Sequence, residues 1–143
     1  IQAAALRVKL RVLDAWNERR RVIATRYLRN LQGLGLVLPK VPSWAEHVWH
    51  LFVVRSAQRD KLKEALESAG IGTMIHYPVP PHMQPACSSL NLRPGSLPIT
   101  EAICREVLSL PIGPHLSLDN VDTIIEAVSA AEILSKRRLA SPE

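Results

Sequence analysis

The nitrogen-bearing side chains of this 143-residue chain that could do chemistry are five histidines and five lysines, and their neighbours decide what each could do. His47 and His50 stand three apart at the opening of an apolar run. On a strand, residues three apart point to opposite faces, so the pair is poorly placed to share a metal ion and reads as structural. A richer stretch is GIGTMIHYPVPPHMQP, Gly70 to Pro85. Its glycines permit close backbone approach and its prolines stiffen the loop, so His76, Tyr77 and His82 are offered from a rigid frame. A neutral imidazole and a phenol can each donate and accept a hydrogen bond. On pattern alone, His76 and Tyr77 read equally well as half-buried strand residues. The third candidate, SLPIGPHLS from Ser109 to Ser117, reads as a connection, with His115 a surface loop residue. Cys87 and Cys104 fit no paired ligand spacing and read as reduced thiols. No Ser/His/Asp order, phosphate-binding glycine loop, HExxH or dinucleotide fingerprint occurs. The reading therefore assigns this chain no catalytic, metal-ligating or cofactor-binding residue.

These side chains need elements to hold them. A chain that is 47% hydrophobic can bury a real core, since a domain of this size removes about two-thirds of its unfolded surface from water. Ile1 to Gln32 contains neither Gly nor Pro, and Leu6, Leu10, Leu13, Trp16, Ile23, Tyr27 and Leu31 recur at helical spacing. This predicts one helix of roughly 45 Å, too long for one small core to cover and suited to bridging two domains or packing on a partner subunit. Eight basic residues, Arg7, Lys9, Arg11, Arg19, Arg20, Arg21, Arg26 and Arg29, oppose Asp14 and Glu18 within it, so it carries the whole net charge of +5 and one more. Such a helix either binds nucleic acid or an acidic partner or is a solvated face. With no zinc-finger spacing, helix-turn-helix signature or aromatic RNA-binding motif beside it, the solvated face is preferred and nucleic acid is not expected as a partner.

Gly33 and Gly35 stop the helix, and Pro39 and Pro42 keep residues 33–46 extended as a linker. Val48 to Val54 reads as a central strand buried on both faces. Ser56 is placed to cap a helix with Leu62, Ala65, Leu66 and Ala69 on one face, ended by Gly70 and Ile71. Gly72 to Tyr77 is a second strand, ended by Pro78, Pro80 and Pro81. Ile99 to Arg105 is a helix and Glu106 to Leu110 a third strand. Ser117 caps a last helix that buries Val121, Ile124, Ile125 and Val128, and residues 136–143 form a polar tail. The fold class is therefore α+β: a long N-terminal helix, then a small domain over residues 47–135, a three-stranded sheet with helices packed on one side. No apolar run reaches the roughly 20 residues that span a bilayer, and nothing resembles a signal peptide. No membrane partner and a cytoplasmic location are the expectations.

HVWHLFVVR, GIGTMIHYPVPPHMQPA and LSLPIGPHLS in this order, with IQAAALRVKL at the start, resemble the C-terminal part of the DegT/StrS-type nucleotide-sugar aminotransferases. The resemblance covers nearly all of Ile1 to Ala130. It implies the small domain of a fold-type I transaminase and, for the complete protein, pyridoxal phosphate as cofactor. It also implies a nucleotide-linked keto-sugar as acceptor, an amino donor that is usually glutamate, and a homodimer. The reactions concerned belong to polysaccharide or secondary-metabolite biosynthesis. The family's Schiff-base lysine has no match in Lys9, Lys40, Lys61, Lys63 or Lys136, so this chain alone is expected to be inactive. His76 and Tyr77 become the expected substrate-binding residues. Cys87 after QPA and Ile112-Gly113 before Pro114 depart from the family's commoner aromatic and Met-aromatic pairs. The rival to this picture is a stand-alone basic α+β module that binds RNA or an acidic protein.

Overall fold

The computed structural model describes residues 1–140. Helix α1 (Gln2–Leu10) and helix α2 (Leu13–Asn30) replace the single helix expected over residues 1–32. At the break the Arg11 and Val12 N–H groups donate three residues back, to Val8 and Lys9, and Val12 leaves helical geometry at φ −118°. Neither Gly nor Pro causes it. The cause lies in packing: α1 buries no side chain, whereas α2 buries Ile23, Ala24 and Tyr27, and a helix face without a partner has nothing to hold it in line.

The sheet has two antiparallel strands, β1 (Phe52–Arg55) and β2 (Val107–Leu110), with Phe52 opposite Leu110 and Val53 opposite Ser109. Two expectations are corrected here. The apolar run starting at Val48 is not strand throughout, because Trp49 sits at φ +51° in left-handed geometry and turns the chain before Phe52. Its ring stacks on His47 at 4.1 Å, and its N–H donates to His47 Nδ1 at 2.8 Å. His47 is thus tied to the turn, and the two histidines do not lie on a strand at all. The expected second strand, Gly72 to Tyr77, shrinks to one bridge between Met74 and Ser109, after which Pro78 has no N–H to continue a ladder. The strand buried on both faces is β2, while β1 alternates buried and half-buried residues.

Between the strands lie α3 (Arg59–Ser68) and α4 (Pro98–Glu106), and α5 (Leu118–Ala140) follows β2. Helix α3 ends as its sequence predicts. Ile71 donates to the Leu66 carbonyl and Gly70 to the Glu67 carbonyl, with Gly70 at φ +75° and both Leu66 and Ile71 buried. Its start differs: Gln58 occupies the cap position, and the Ser56 hydroxyl accepts the Gln58 N–H while donating to buried Glu132 on α5. Ala65 and Ala69, expected on the buried face, are exposed. Helix α4 opens on Pro98, which needs no N–H there, and α5 is capped by Ser117 accepting the Asn120 N–H at 3.1 Å. Val121, Ile124 and Val128 are buried as read, and Ile125 is half-buried. Helix α5 continues to Ala140, through the start of the expected polar tail; residues 141–143 lie outside the described residues.

The core joins α2, both strands, α3 and α5 around Tyr27, Phe52, Leu66, Leu108 and Val128. Tyr27 and Phe52 rings meet at 4.9 Å, and Trp49 reaches Phe52 at 5.5 Å. Residues expected to be a plain linker take part: Leu34, Leu36 and Leu38 pack on the core, and Val37 bridges Arg55. No helix among the described residues is long and apolar enough to cross a membrane.

Candidate functional site

The segment after Gly72 is gripped by β2 at one residue, Met74, which exchanges both backbone hydrogen bonds with Ser109. Two residues on, half-buried His76 turns Nδ1 onto the Ser109 hydroxyl at 2.8 Å. Val53 and Ser109 are cross-strand partners, so this serine lies on the sheet face away from the core residues Phe52 and Leu110. Tyr77, joined to His76 by a cis peptide bond, is 69% exposed and meets the imidazole edge-on at 5.4 Å. The pair expected to bind substrate is thus brought together, with one member anchored and the other open to solvent.

His82 does not join them. It is buried, and its Nε2 lies 3.2 Å from a carboxylate oxygen of Glu101 on α4. Glu101 also accepts the Gly95 N–H at 2.8 Å and the Leu97 N–H at 3.3 Å, so one carboxylate ties the Pro81–Met83 turn and the Gly95–Leu97 turn to the first turn of α4. Burial works against its charge. The Gly95 and Leu97 N–H groups and His82 outweigh that and hold the carboxyl below its usual range. His82 is a brace for the loop, where the proline pattern alone suggested a presented group. His115 is exposed, as the sequence suggested.

Two residues of this region escaped sequence reading. Ser109 had a signal, being the one polar residue in an otherwise apolar strand, since a buried hydroxyl implies a partner. Glu101 had a weaker one, as the acidic residue in the first turn of a helix that follows a glycine loop.

Among the described side chains no lysine offers a Schiff-base site. Lys9, Lys40 and Lys61 are exposed, and Lys63 pairs with Glu67 along α3. None of these four has the desolvated surroundings that make a lysine nucleophilic. Among the described residues no cluster of three or more His, Cys, Asp or Glu could hold a metal ion. Cys87 and Cys104 are both free thiols.

The basic residues of α2 are largely spent inside the molecule. Arg19 donates to the Leu116 carbonyl at 2.9 Å, Arg21 pairs with Glu18 and Glu46, and Arg26 pairs with Asp122 at 2.6 Å. Arg19 and Arg26 thus fasten α2 to the loop before α5 and to α5 itself, while Arg7, Lys9, Arg11 and Arg29 are exposed, as a solvated face requires.

Three relatives resemble this chain along most of its length. It is 50% identical over 131 residues to the erythromycin biosynthesis sensory transduction protein EryC1 of Saccharopolyspora erythraea, covering 91% of this chain and 36% of that protein. It is 48% identical over 129 residues to the dTDP-3-amino-3,4,6-trideoxy-alpha-D-glucose transaminase of Streptomyces venezuelae, covering 90% and 34%. The crystal structure of S. venezuelae DesV in complex with a ketimine intermediate superposes with a TM-score of 0.89 at 47% identity, covering 92% of this chain and 36% of that one. The chain therefore spans about a third of the length of the proteins it matches. A match to a described family runs from residue 1 to residue 129, through α1, the His76–Tyr77 segment, β2 and most of α5. The chain belongs to the DegT/DnrJ/EryC1/StrS aminotransferase family.

Proposed function

We propose that this chain forms the substrate-side small domain of a pyridoxal-phosphate-dependent aminotransferase that passes an amino group, from glutamate, to a nucleotide-linked keto-sugar. The complete protein would act as a cytoplasmic homodimer in secondary-metabolite or polysaccharide biosynthesis. Residues 1–32 would connect the two domains, and residues 47–135 would make up the small one. The observation that carries the reading is the unbroken family match over residues 1–129, which takes in the anchored His76 and the exposed Tyr77. The transaminase name of the S. venezuelae relative supports the choice of a nucleotide-linked sugar.

The residues present do not fit the cofactor itself: the lysines with described side chains are exposed or paired on a helix surface. The chain's own part is to bind and orient the sugar. Incubation of the chain with pyridoxal phosphate followed by borohydride is expected to give no stoichiometric lysyl adduct. A stable adduct at one site would contradict this.

The substrate role of His76 is tested in the complete protein. One neutral hydrogen bond to substrate contributes roughly 0.5 to 1.5 kcal/mol. His76→Ala is therefore expected to raise KM for the keto-sugar about tenfold at most, with the amino-donor half-reaction nearly unchanged. Stopped-flow measurement of both half-reactions decides the matter. Equal impairment of the two, with lost thermal stability, would mark His76 as structural only.

A further inference from the structure

Ser109 is buried in a strand that is buried throughout, yet it carries a hydroxyl. It holds the neighbouring segment twice: its N–H and C=O both pair with Met74, and its Oγ lies 2.8 Å from His76 Nδ1. We infer that Ser109 is a positioning residue that fixes His76 as the tautomer protonated on Nε2, so that the ring offers a hydrogen-bond donor to whatever faces it.

Proton counting carries the inference. A serine hydroxyl has one proton to donate, and the His76 ring is the partner within reach of Oγ. With the imidazole proton on Nδ1, the serine oxygen would accept it and the buried O–H would be left without an acceptor. Stranding a buried donor costs more than leaving a lone pair unfilled. With the imidazole proton on Nε2, the hydroxyl donates to Nδ1 and no donor is stranded. The backbone clamp at Met74 keeps the ring in register with the hydroxyl, so the choice is imposed by the fold and not by the ligand. If His76 faces the sugar, a point that rests on the function proposed above, its Nε2–H selects an acceptor atom there: a hydroxyl, carbonyl or phosphate oxygen.

The test is a long-range proton–nitrogen correlation spectrum of the protein labelled with nitrogen-15 at histidine, in which the two tautomers give distinct patterns. The His76 ring is expected to show Nε2 protonated and Nδ1 bare. In Ser109→Ala the pattern is expected to move towards the average of two exchanging tautomers, and Ser109→Thr, which keeps the hydroxyl, to restore it. An Nδ1-protonated ring in the unaltered protein overturns the inference, as does a pattern unchanged in folded Ser109→Ala. Because the unaltered protein is diagnostic by itself, a variant that fails to fold leaves the answer intact. Kinetics of the complete protein separate the two layers. Ser109→Ala is expected to raise KM for the sugar about two- to tenfold and to spare the donor half-reaction. The expected tautomer with unchanged sugar KM in both Ser109→Ala and His76→Ala would remove His76 from the substrate site and leave the role of Ser109 standing. The opposite tautomer with a raised KM in His76→Ala would do the reverse.

Discussion

At the scale of single residues, Glu101 ties the loop together, because one carboxylate meets two backbone N–H groups and the imidazole of His82. Its carboxyl is held below the ordinary 4.5 when folded, so its contribution to stability is fully present above that value. It is lost as pH falls through the lower folded value. The melting temperature is therefore expected to drop on acidification through the carboxylate range. In Glu101→Gln that acid limb should be shallower and the neutral-pH melting temperature lower, since an amide accepts fewer of these bonds and cannot pair with a charged imidazole. A thermal scan across pH that shows equal acid slopes in the two proteins would remove Glu101 from this role. Tyr27 is the opposite case. Burial pushes its phenol up, and its O–H donates to the Pro111 carbonyl at 2.8 Å, so it stays neutral and serves as a fastener in the core.

At the scale of elements, the end of α3 offers a matched pair of glycines. Gly70 stands at φ +75° and a Cβ there would touch nothing within 4 Å, so Gly70→Ala is opposed by backbone conformation alone. It should cost about 1 kcal/mol, or about 3 °C in melting temperature for a chain of this size. Gly72 has the same open space without the positive φ, and Gly72→Ala should be near neutral by the same calorimetry. The stop at Gly70 was legible because it is local: the glycine, the carbonyls it serves and the apolar residue behind it lie within six positions. The expected starts of α4 at Ile99 and of α5 after Ser117 likewise held to within one residue. What was illegible depends on how side chains pack, near in the chain or far. The Val48–Val54 run has strand composition, but the left-handed turn at Trp49 is fixed by the ring of His47 on one side and Phe52 on the other. Helical spacing runs on through Arg11 and Val12, and only the lack of any buried side chain on α1 distinguishes it from α2. The candidate site shows the same division: the proline-stiffened motif singled out His76 and Tyr77 as candidates, and their rings do meet, at 5.4 Å. The burial of His82 and the anchoring by Ser109 depend on residues 19 and 33 positions away.

At the scale of the whole molecule, α1 buries no side chain: Leu6, Val8 and Leu10 are all over half exposed, followed by exposed Val12 and Leu13. Exposed large apolar side chains favour association. Sedimentation velocity at rising concentration is expected to show self-associated species, and Leu6→Glu combined with Leu10→Glu to shift them to monomer. A chain that stays monomeric at high concentration would show that α1 does not act as a contact surface. The staples on α2 have a different consequence, for the order in which the fold can be made. Arg19, Arg26 and Tyr27 find their partners at Leu116, Asp122 and Pro111, separations of 97, 96 and 84 residues. Loops of that length close late and slowly. On the ribosome, Tyr27 of α2 can meet Phe52 once β1 has emerged, but the partners of Arg19, Arg26 and the Tyr27 hydroxyl arrive only with β2 and α5. Until residues 107–128 have been made, these three side chains of α2 stay without the partners that fasten them in the finished fold.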